Sequence, residues 1–354
     1  MNILLLTNKL DYTDGVTTHL YYLVKNLKNK GISFFIICSG GDAIDKFTSL
    51  DVNIKVYEKL NFYNRSVSNF INTSRYIYQF SRSRKIQIIH SHNHYIANAA
   101  ALTSKLSGIK TVQTIHGLIQ RKGLFKLYVS DYYIGVNNHI TDFLKDNKIE
   151  SAENIALIYN GIDIESNGNK IEKNFNKVIC ASRLVKEKGV DLLIKAAADL
   201  NDTLKSGKEF VISGEGDFEN ELKNLNAKLG NPVYFTGIKK SMESEFDSAG
   251  IFVMPTVSVS EGFPMTMLEA GKSGCLVISS DFIGSESIIK NNHDALIFKL
   301  NDPDDLKSKL EFAFLNNDIC RKLSEEFQKK VRNNFSSDVM AQRHFEFYNK
   351  VLFR

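Results

Sequence analysis

Short apolar runs alternate with helix-length amphipathic segments along almost the whole chain, and the series breaks once and restarts. Before the break come ILLLT at 3–7, FFIIC at 34–38, IKVY at 54–57, IQIIH at 86–90, KTVQTI at 110–115, YYIGV at 132–136 and IALIY at 155–159. After it come KVICAS at 177–182, EFVISG at 209–214, VYFTG at 233–237, GIFVMP at 250–255, CLVISS at 275–280 and ALIF at 295–298. Strands buried on both faces read as continuous apolar runs, and amphipathic crossovers between them predict parallel α/β sheets. The break is NGIDIESNGNKIEKN at 160–174, rich in Asn and Gly, which reads as a linker. A chain of 354 residues exceeds what one core usually serves. The expected domains are 1–165 and 172–335. An aromatic-rich amphipathic segment from Ser336 to Phe353 is expected to pack back on the first domain. Two such halves place a ligand site between them.

Composition narrows the class. The chain is 43% hydrophobic and 24% charged, with no apolar run near the ~20 residues that span a bilayer. The opening MNILLLTNK is too short for a signal segment and reads as a buried strand. Cys38, Cys180, Cys275 and Cys320 are scattered without a CxxC pair, which disfavours a zinc knuckle or disulfide framework and fits a reducing cytosol. No Walker A sequence and no GxGxxG is present. The Gly-Glu-Gly at 214–216 lacks the third glycine of a dinucleotide fingerprint.

The net charge of +5 is unevenly placed. Residues 55–130 hold twelve basic side chains (Lys55, Lys59, Arg65, Arg75, Arg82, Arg84, Lys85, Lys105, Lys110, Arg121, Lys122 and Lys126) against the single acid Glu58, a net +11 over 76 residues. Such a surface attracts phosphates or an anionic leaflet. The segment SRYIYQFSRSRK, with Tyr76, Ile77 and Phe80 among its cations, predicts a helix that docks on an anionic membrane. The alternative is an ordinary solvated basic face. Nucleic acid is not expected, because no recognised binding module accompanies the charge.

Four constellations carry candidate chemistry. EGFPMTMLE places Glu261 and Glu269 either side of a Gly-Phe-Pro turn after an apolar strand. Two helical glutamates eight residues apart would lie ~12 Å apart on different faces. They can share a ligand only if Glu261 sits in the loop and Glu269 in the first turns of the helix, with Pro264 at the first helical position. Carboxylates that only accept hydrogen bonds suit hydroxyl-rich ligands. In SRLVKEKGVDLLIKAA, Arg183 follows a strand and Lys188 precedes a helix, a combination suited to pyrophosphate. In TNKLDYTDGVTTHL, Gly15 precedes Thr17, Thr18 and His19 at a helix start. This is either a phosphate or sugar approach or a simple capping turn.

Histidines at strand ends form the fourth group: His90, His92 and His94 in HSHNH, and His116 before Gly117. Metal binding by the first three is disfavoured, since no carboxylate cluster stands at ligand spacing. His90 reads as a packed strand-end residue, and His92 and His116 as hydrogen-bond partners of a sugar or its phosphate. Asn160, Gly161 and Asp163 read as a turn entering the linker or as ligand contacts.

In order and spacing these segments resemble glycosyltransferase family 4, retaining enzymes of the GT-B fold, over nearly the whole chain. The markers are the Gly15 loop, HSH at 90–92, IHG at 115–117, YNGID at 159–163, SRLVKEKG at 182–189, SGEGDFENEL at 213–222, FTG at 235–237 and EGFPMTMLEA at 261–270. The resemblance implies two Rossmann-like domains facing across a cleft. It implies a hexosyltransferase that uses a nucleotide-diphosphate sugar (UDP or GDP) as co-substrate, with no cofactor and no metal. Arg183 and Lys188 would bind the diphosphate. Glu261 would hold donor-sugar hydroxyls, helped by backbone N–H groups of Gly262, Phe263 and Met265. Glu269 would bind the ribose, and Ile238 would meet the base through its backbone. Gly15 would face the phosphates and His116 the reacting sugar. Attack would come from the face the leaving group departs, with Glu261 as a positioning residue and not a nucleophile.

The acceptor implied is a glycan or lipid-linked glycan of a surface polysaccharide pathway, met at the inner face of the cell membrane by a cytoplasmic protein. The sequence departs from the family pattern at Asp14-Gly15, at Gly274-Cys275-Leu276-Val277 and at the shortened IGSESII of 283–289. Rival readings are a sugar-nucleotide epimerase, a sugar phosphorylase and a catalytically silent partner subunit.

Overall fold

The computed structural model describes residues 1–61, 66–118, 128–165, 172–239, 241–258 and 261–353. The chain divides into two compact units, Met1–Asp163 with Ser336–Arg354, and Ile164–Phe335.

In the first unit the described strands are β1 (Asn2–Leu6), β2 (Ser33–Cys38), β3 (Asn53–Val56), β4 (Ile88–Ser91), β5 (Lys110–Ile115), β6 (Tyr132–Gly135) and β7 (Ile155–Leu157). They form one parallel sheet in the order β3-β2-β1-β4-β5-β6-β7. Each coincides with one of the apolar runs read from the sequence. Successive side chains of a strand point to opposite faces. In β1, Ile3 and Leu5 join one buried cluster while Leu4 and Leu6 join another. Both faces are therefore covered, which is why the run shows no polar alternation.

The second unit repeats the plan with β8 (Asn174–Ala181), β9 (Glu209–Ser213), β10 (Tyr234–Phe235), β11 (Ala249–Met254), β12 (Leu276–Ser280) and β13 (Leu296–Phe298). The order is β10-β9-β8-β11-β12-β13, again all parallel. In both sheets the series runs one way from the first strand and then the other way from its opposite side. The resulting crevice at the carboxyl ends of the first and fourth strands is where doubly wound sheets hold ligands. In the first unit that place lies between β1 and β4, and in the second between β8 and β11.

The C-terminal helix Ser337–Leu352 belongs to the first unit. Met340, Ala341, Phe347, Tyr348 and Val351 enter the same buried cluster as Leu20, Leu23 and Val24 of the helix Gly15–Leu27. The segment read as a linker is anchored at its start. Ile162 bridges Ser336, and Ser337 N donates to Ile162 O at 2.7 Å. A Cβ on Gly161 would sit 2.3 Å from Ser336 O, so only glycine admits this approach. Asp163 pairs with Lys25. Packing thus accounts for the Asn-Gly-Ile-Asp turn at 160–163, and residues 166–171 of the linker lie outside the described residues.

Candidate functional site

The two motifs weighed most heavily in the sequence meet in the second unit, because β8 and β11 are neighbours. The chain leaves β8 through Arg183, makes a 3-10 turn Lys186–Lys188, and enters the helix Val190–Ala198. Gly189 turns that corner at φ +61, and a Cβ there would lie 2.1 Å from Pro255 O. Glycine serves both the left-handed backbone and the close approach. Across this seam Val257 N donates to Glu187 O at 2.9 Å, and Thr256 Oγ1 to the same carbonyl at 3.1 Å. The loops after β8 and β11 are thereby tied together.

On that seam Lys188 Nζ donates to Glu261 Oε2 at 2.7 Å, with Thr256 Oγ1 3.4 Å from the same oxygen. Both side chains are largely shielded, 20% and 12% exposed. Arg183 is exposed and forms no ion pair among the described residues. The helix after Gly189 starts without a side-chain cap, and Lys188 stands in the turn just before it. Such a corner stabilises an anionic oxygen.

Glu261 precedes the helix Met265–Ser273 and Glu269 lies within it, so the two carboxylates are separated as helix geometry requires. One detail differs: Pro264 is the cap residue, with extended ψ 111, and Met265 is the first helical residue. Phe263 and Met265 are buried, and Phe263 packs edge-on to Phe335 at 5.3 Å. Their side chains serve the core, which leaves only their backbone for a ligand. Ile238 is 51% exposed in the loop after β10, and Gly237 O, just before it, accepts from Gly214 N and Ser213 Oγ.

The Gly-Glu-Gly at 214–216 has a structural origin. A Cβ on Gly214 would meet Ser182 O at 1.9 Å, and one on Gly216 would meet Leu184 O at 2.4 Å. These glycines let the loop after β9 lie against the loop that carries Arg183.

In the first unit, Gly15 is the first residue of its helix, capped by Asp14, whose side chain accepts from Val16 N at 3.3 Å. Thr17 Oγ1 accepts from Asp11 N and Thr18 Oγ1 donates to Asp14 O. The capping reading explains these threonines.

Five imidazoles gather at the carboxyl ends of β1, β4 and β5. They are His19, His90, His92, His116 and, from the C-terminal helix, His344. His90 is fully buried with both nitrogens satisfied, by Tyr348 Oη and Thr114 Oγ1, each at 2.7 Å. It is a packing residue, as its strand-end position suggests. His94 instead meets Gln113 Nε2 at 3.0 Å. The triple of 90, 92 and 94 therefore does not converge. His19, His92 and His116 do, each offering a nitrogen within 4.8 Å of the others. His92 Nδ1 lies 3.0 Å from His116 Nε2, and His19 Nδ1 2.9 Å from Asn160 Oδ1. Burial disfavours the imidazolium throughout, and the neighbouring histidines add to it. His116 is held down to about 3, His344 by burial to about 4, and His19, His90 and His92 well below the usual histidine range. His19 and His344 were not singled out from the sequence as site residues. His344 stands 228 positions beyond His116, and nothing in its local pattern announces it.

The basic stretch is exposed where it is described. Lys55, Lys59, Arg75, Arg82, Arg84, Lys85, Lys105 and Lys110 all face solvent, while Arg65, Arg121, Lys122 and Lys126 lie outside the described residues. The apolar partners expected on the helix Val67–Ser83 are a correction. Ile77 and Phe80 are buried in the core, and Tyr76 stacks on Tyr57 at 4.3 Å. The exposed apolar side chains are Val67 (73%) and Ile71 (57%), one helical turn apart and in line with Arg75. Among the described residues no helix is long and apolar enough to cross a membrane, and all four cysteines are free and buried.

The family model for Glycosyl transferases group 1 matches residues 161–333, and that for Glycosyltransferase Family 4 matches residues 13–166. Two parallel-sheet α/β units, each matched by its own glycosyltransferase family, define a GT-B glycosyltransferase. The chain belongs to the family 4 glycosyltransferases.

Among its relatives, an uncharacterized glycosyltransferase of Methanocaldococcus jannaschii is 28% identical, over 95% of this chain and 94% of its own. The N,N'-diacetylbacillosaminyl-diphospho-undecaprenol alpha-1,3-N-acetylgalactosaminyltransferase of Campylobacter jejuni is 23% identical, over 93% of this chain and 94% of its own. Among solved structures, Anabaena HepE in complex with UDP and glucose shares the fold with a TM-score of 0.84. It is 16% identical, over 99% of this chain and all of its own.

Proposed function

We propose that the protein moves a hexosyl unit from a nucleotide-diphosphate sugar to a hydroxyl of a lipid-linked glycan, with retention at the anomeric carbon. Donor binding is assigned to residues 172–335, and the acceptor side to 1–165 with the C-terminal helix. The observation that carries this reading is the Lys188–Glu261 pair at the β8/β11 switch point, beside the exposed Arg183. Breaking the bond between the anomeric carbon and phosphate leaves charge on the departing diphosphate, and preorganised cations at a helix start stabilise it. Arg183 and Lys188 supply that charge, so the reading needs no divalent cation at the diphosphate.

Glu261 is held by Lys188 and Thr256, which favours a carboxylate that accepts sugar hydroxyls over one that attacks carbon. Double displacement needs two carboxyl groups close together across the ring. In this reading the acceptor oxygen bonds to the anomeric carbon on the face the phosphate leaves, and its proton passes to the departing phosphate oxygen. Glu269 meets the ribose, Ile238 and the backbone of Gly262, Phe263 and Met265 flank the donor, and Gly15, His92 and His116 serve the reacting sugar and phosphates. UDP and glucose in HepE, and the undecaprenol-linked acceptor named for the Campylobacter relative, support the donor and acceptor classes.

The exposed Val67 and Ile71, in line with Arg75 on one helix, favour work at an anionic inner leaflet, where apolar side chains insert and cations meet headgroups. A thermal-shift screen of UDP- and GDP-sugars tests the donor class. The expected outcome is stabilisation by one family of donors. Stabilisation by none of them in the wild-type protein contradicts it and favours a silent subunit.

A further inference from the structure

The cluster at the carboxyl ends of β1, β4 and β5 has the makings of a metal site, and the sugar-transfer reading calls on no metal there. We propose that His19, His92 and His116 form an open, three-imidazole site for a borderline-soft divalent ion of the zinc class.

The three side chains arrive on three adjacent strands. His19 sits in the helix after β1, His92 just beyond β4, and His116 just beyond β5. One nitrogen from each lies within 4.8 Å of the other two. His92 Nδ1 and His116 Nε2 are 3.0 Å apart, short of the ~3.4 Å expected of two nitrogens held at ~2.1 Å by one tetrahedral ion. The remaining separation closes by modest side-chain rotation, for which the partly exposed His116 has room.

Two features point to a ligand beyond mere proximity. His19 is fully buried, and its Nε2 has no hydrogen-bond partner. A buried unsatisfied polar atom normally costs stability, so its persistence calls for a reason. The second is the contact behind His19. An amide oxygen can only accept, so Asn160 Oδ1 fixes the proton on His19 Nδ1 and leaves the Nε2 lone pair free to bind. This backing contact is what metal-ligating histidines usually have.

The donor set selects the ion. Three neutral imidazoles without a carboxylate suit zinc, copper or nickel and are poor for magnesium or calcium, which require oxygen ligands. Three protein ligands leave a fourth position for water or a substrate oxygen. Under the proposed function His92 and His116 serve the reacting sugar of the donor, so occupancy and donor-sugar binding compete. Zinc is then an inhibitor and not a cofactor of transfer.

The test uses the full chain stripped with a chelator, titrated with Zn²⁺ against a chromophoric chelator and separately with Co²⁺. The expected result is one equivalent bound, with the visible absorption of a four-coordinate, nitrogen-ligated cobalt site. His19→Gln should weaken zinc at least ten-fold, and Asn160→Ala about 10- to 100-fold. No stoichiometric binding by the wild-type protein overturns the site. So does a sulfur-to-metal charge-transfer band, or an affinity unchanged in a folded His19→Gln. The cobalt spectrum needs no variant and no turnover, so it stands whether or not a sugar donor is ever found.

Discussion

Lys188 Nζ donates to Glu261 Oε2 at 2.7 Å, joining two motifs 73 residues apart in the chain. The contact exists because β8 and β11 are adjacent and their following loops are tied by Val257, Thr256 and Gly189. It makes each partner dependent on the other. Removing one leaves a shielded charge without its counterion, which usually costs more than the intact pair contributes. Lys188→Met and Glu261→Gln should each lower kcat/KM about 100-fold or more, in the range of losing one transition-state donor. The double variant should fall well short of the product of the two losses, because the residues act as a unit. Steady-state kinetics on the four proteins checks this.

Gly189 is the corner on which that geometry turns. Gly189→Ala places a methyl group against Pro255 O in a left-handed backbone. The expected loss is about 1–3 kcal/mol, from strain together with displacement of the 255–257 loop. Chemical denaturation measures it. A fall in donor affinity should accompany it, whereas Gly207→Ala, at φ +71 with open space around it, should show only the strain.

Acid should unfold the first unit before it touches isolated carboxylates. His344 is held by burial to about 4 and His116 to about 3, against about 6.5 for an unfolded histidine. A lowered folded pKa means the unfolded chain takes up the proton first. Stability is therefore full above about pH 6.5 and falls as pH drops towards 4. The titratable groups around His344 include His19, His90, His92, His116 and Tyr348. His344→Leu should flatten the decline between pH 6.5 and 4, by an amount on the order of 3 kcal/mol. Urea unfolding across that window, in chelator, provides the measurement. An unchanged slope would place the acid sensitivity elsewhere.

Attachment to an anionic bilayer should depend on Val67 and Ile71. Ile71→Asp should lower sedimentation with phosphatidylglycerol vesicles several-fold while leaving folding intact, because the side chain is 57% exposed. Binding should weaken further as salt rises, since the exposed cations act over about a Debye length. Binding insensitive to both would remove the membrane from the account.

The central strands β1, β2, β11 and β12 were legible because parallel strands buried on two faces admit few polar residues, whereas the edge strands β3 and β10 are partly exposed and β5 carries buried Thr and Gln. The residues proposed for the donor side stood out because each motif is local: a strand, a turn that carries Arg183 and Lys188 or Glu261, and a helix that follows. Contacts set by packing were not. The meeting of His19 with His344 depends on how the last helix seats on the first, and no periodicity encodes it. The helix Val67–Ser83 was misread for a related reason. Its basic residues were visible, but Ile77 and Phe80 fall on the stripe that faces the sheet, so the exposed apolar face belongs to Val67 and Ile71. Glycines divided in the same way. Gly161, Gly214 and Gly216 stand in motifs that suggest ligand contacts, yet neighbouring carbonyl oxygens lie only 1.9–2.4 Å from where a Cβ would be, and that crowding explains them.

The most direct measurement follows the anomeric configuration of the product by NMR. It uses the wild-type protein, the stabilising nucleotide sugar and an undecaprenyl-diphosphate-linked acceptor, with Glu261→Gln and Arg183→Ala in parallel. The expected result is release of a nucleoside diphosphate and a product with the donor's anomeric configuration, both strongly reduced in the two variants. An inverted product, a covalent glycosyl adduct on Glu261, or full transfer by both variants would contradict the proposed site and mechanism.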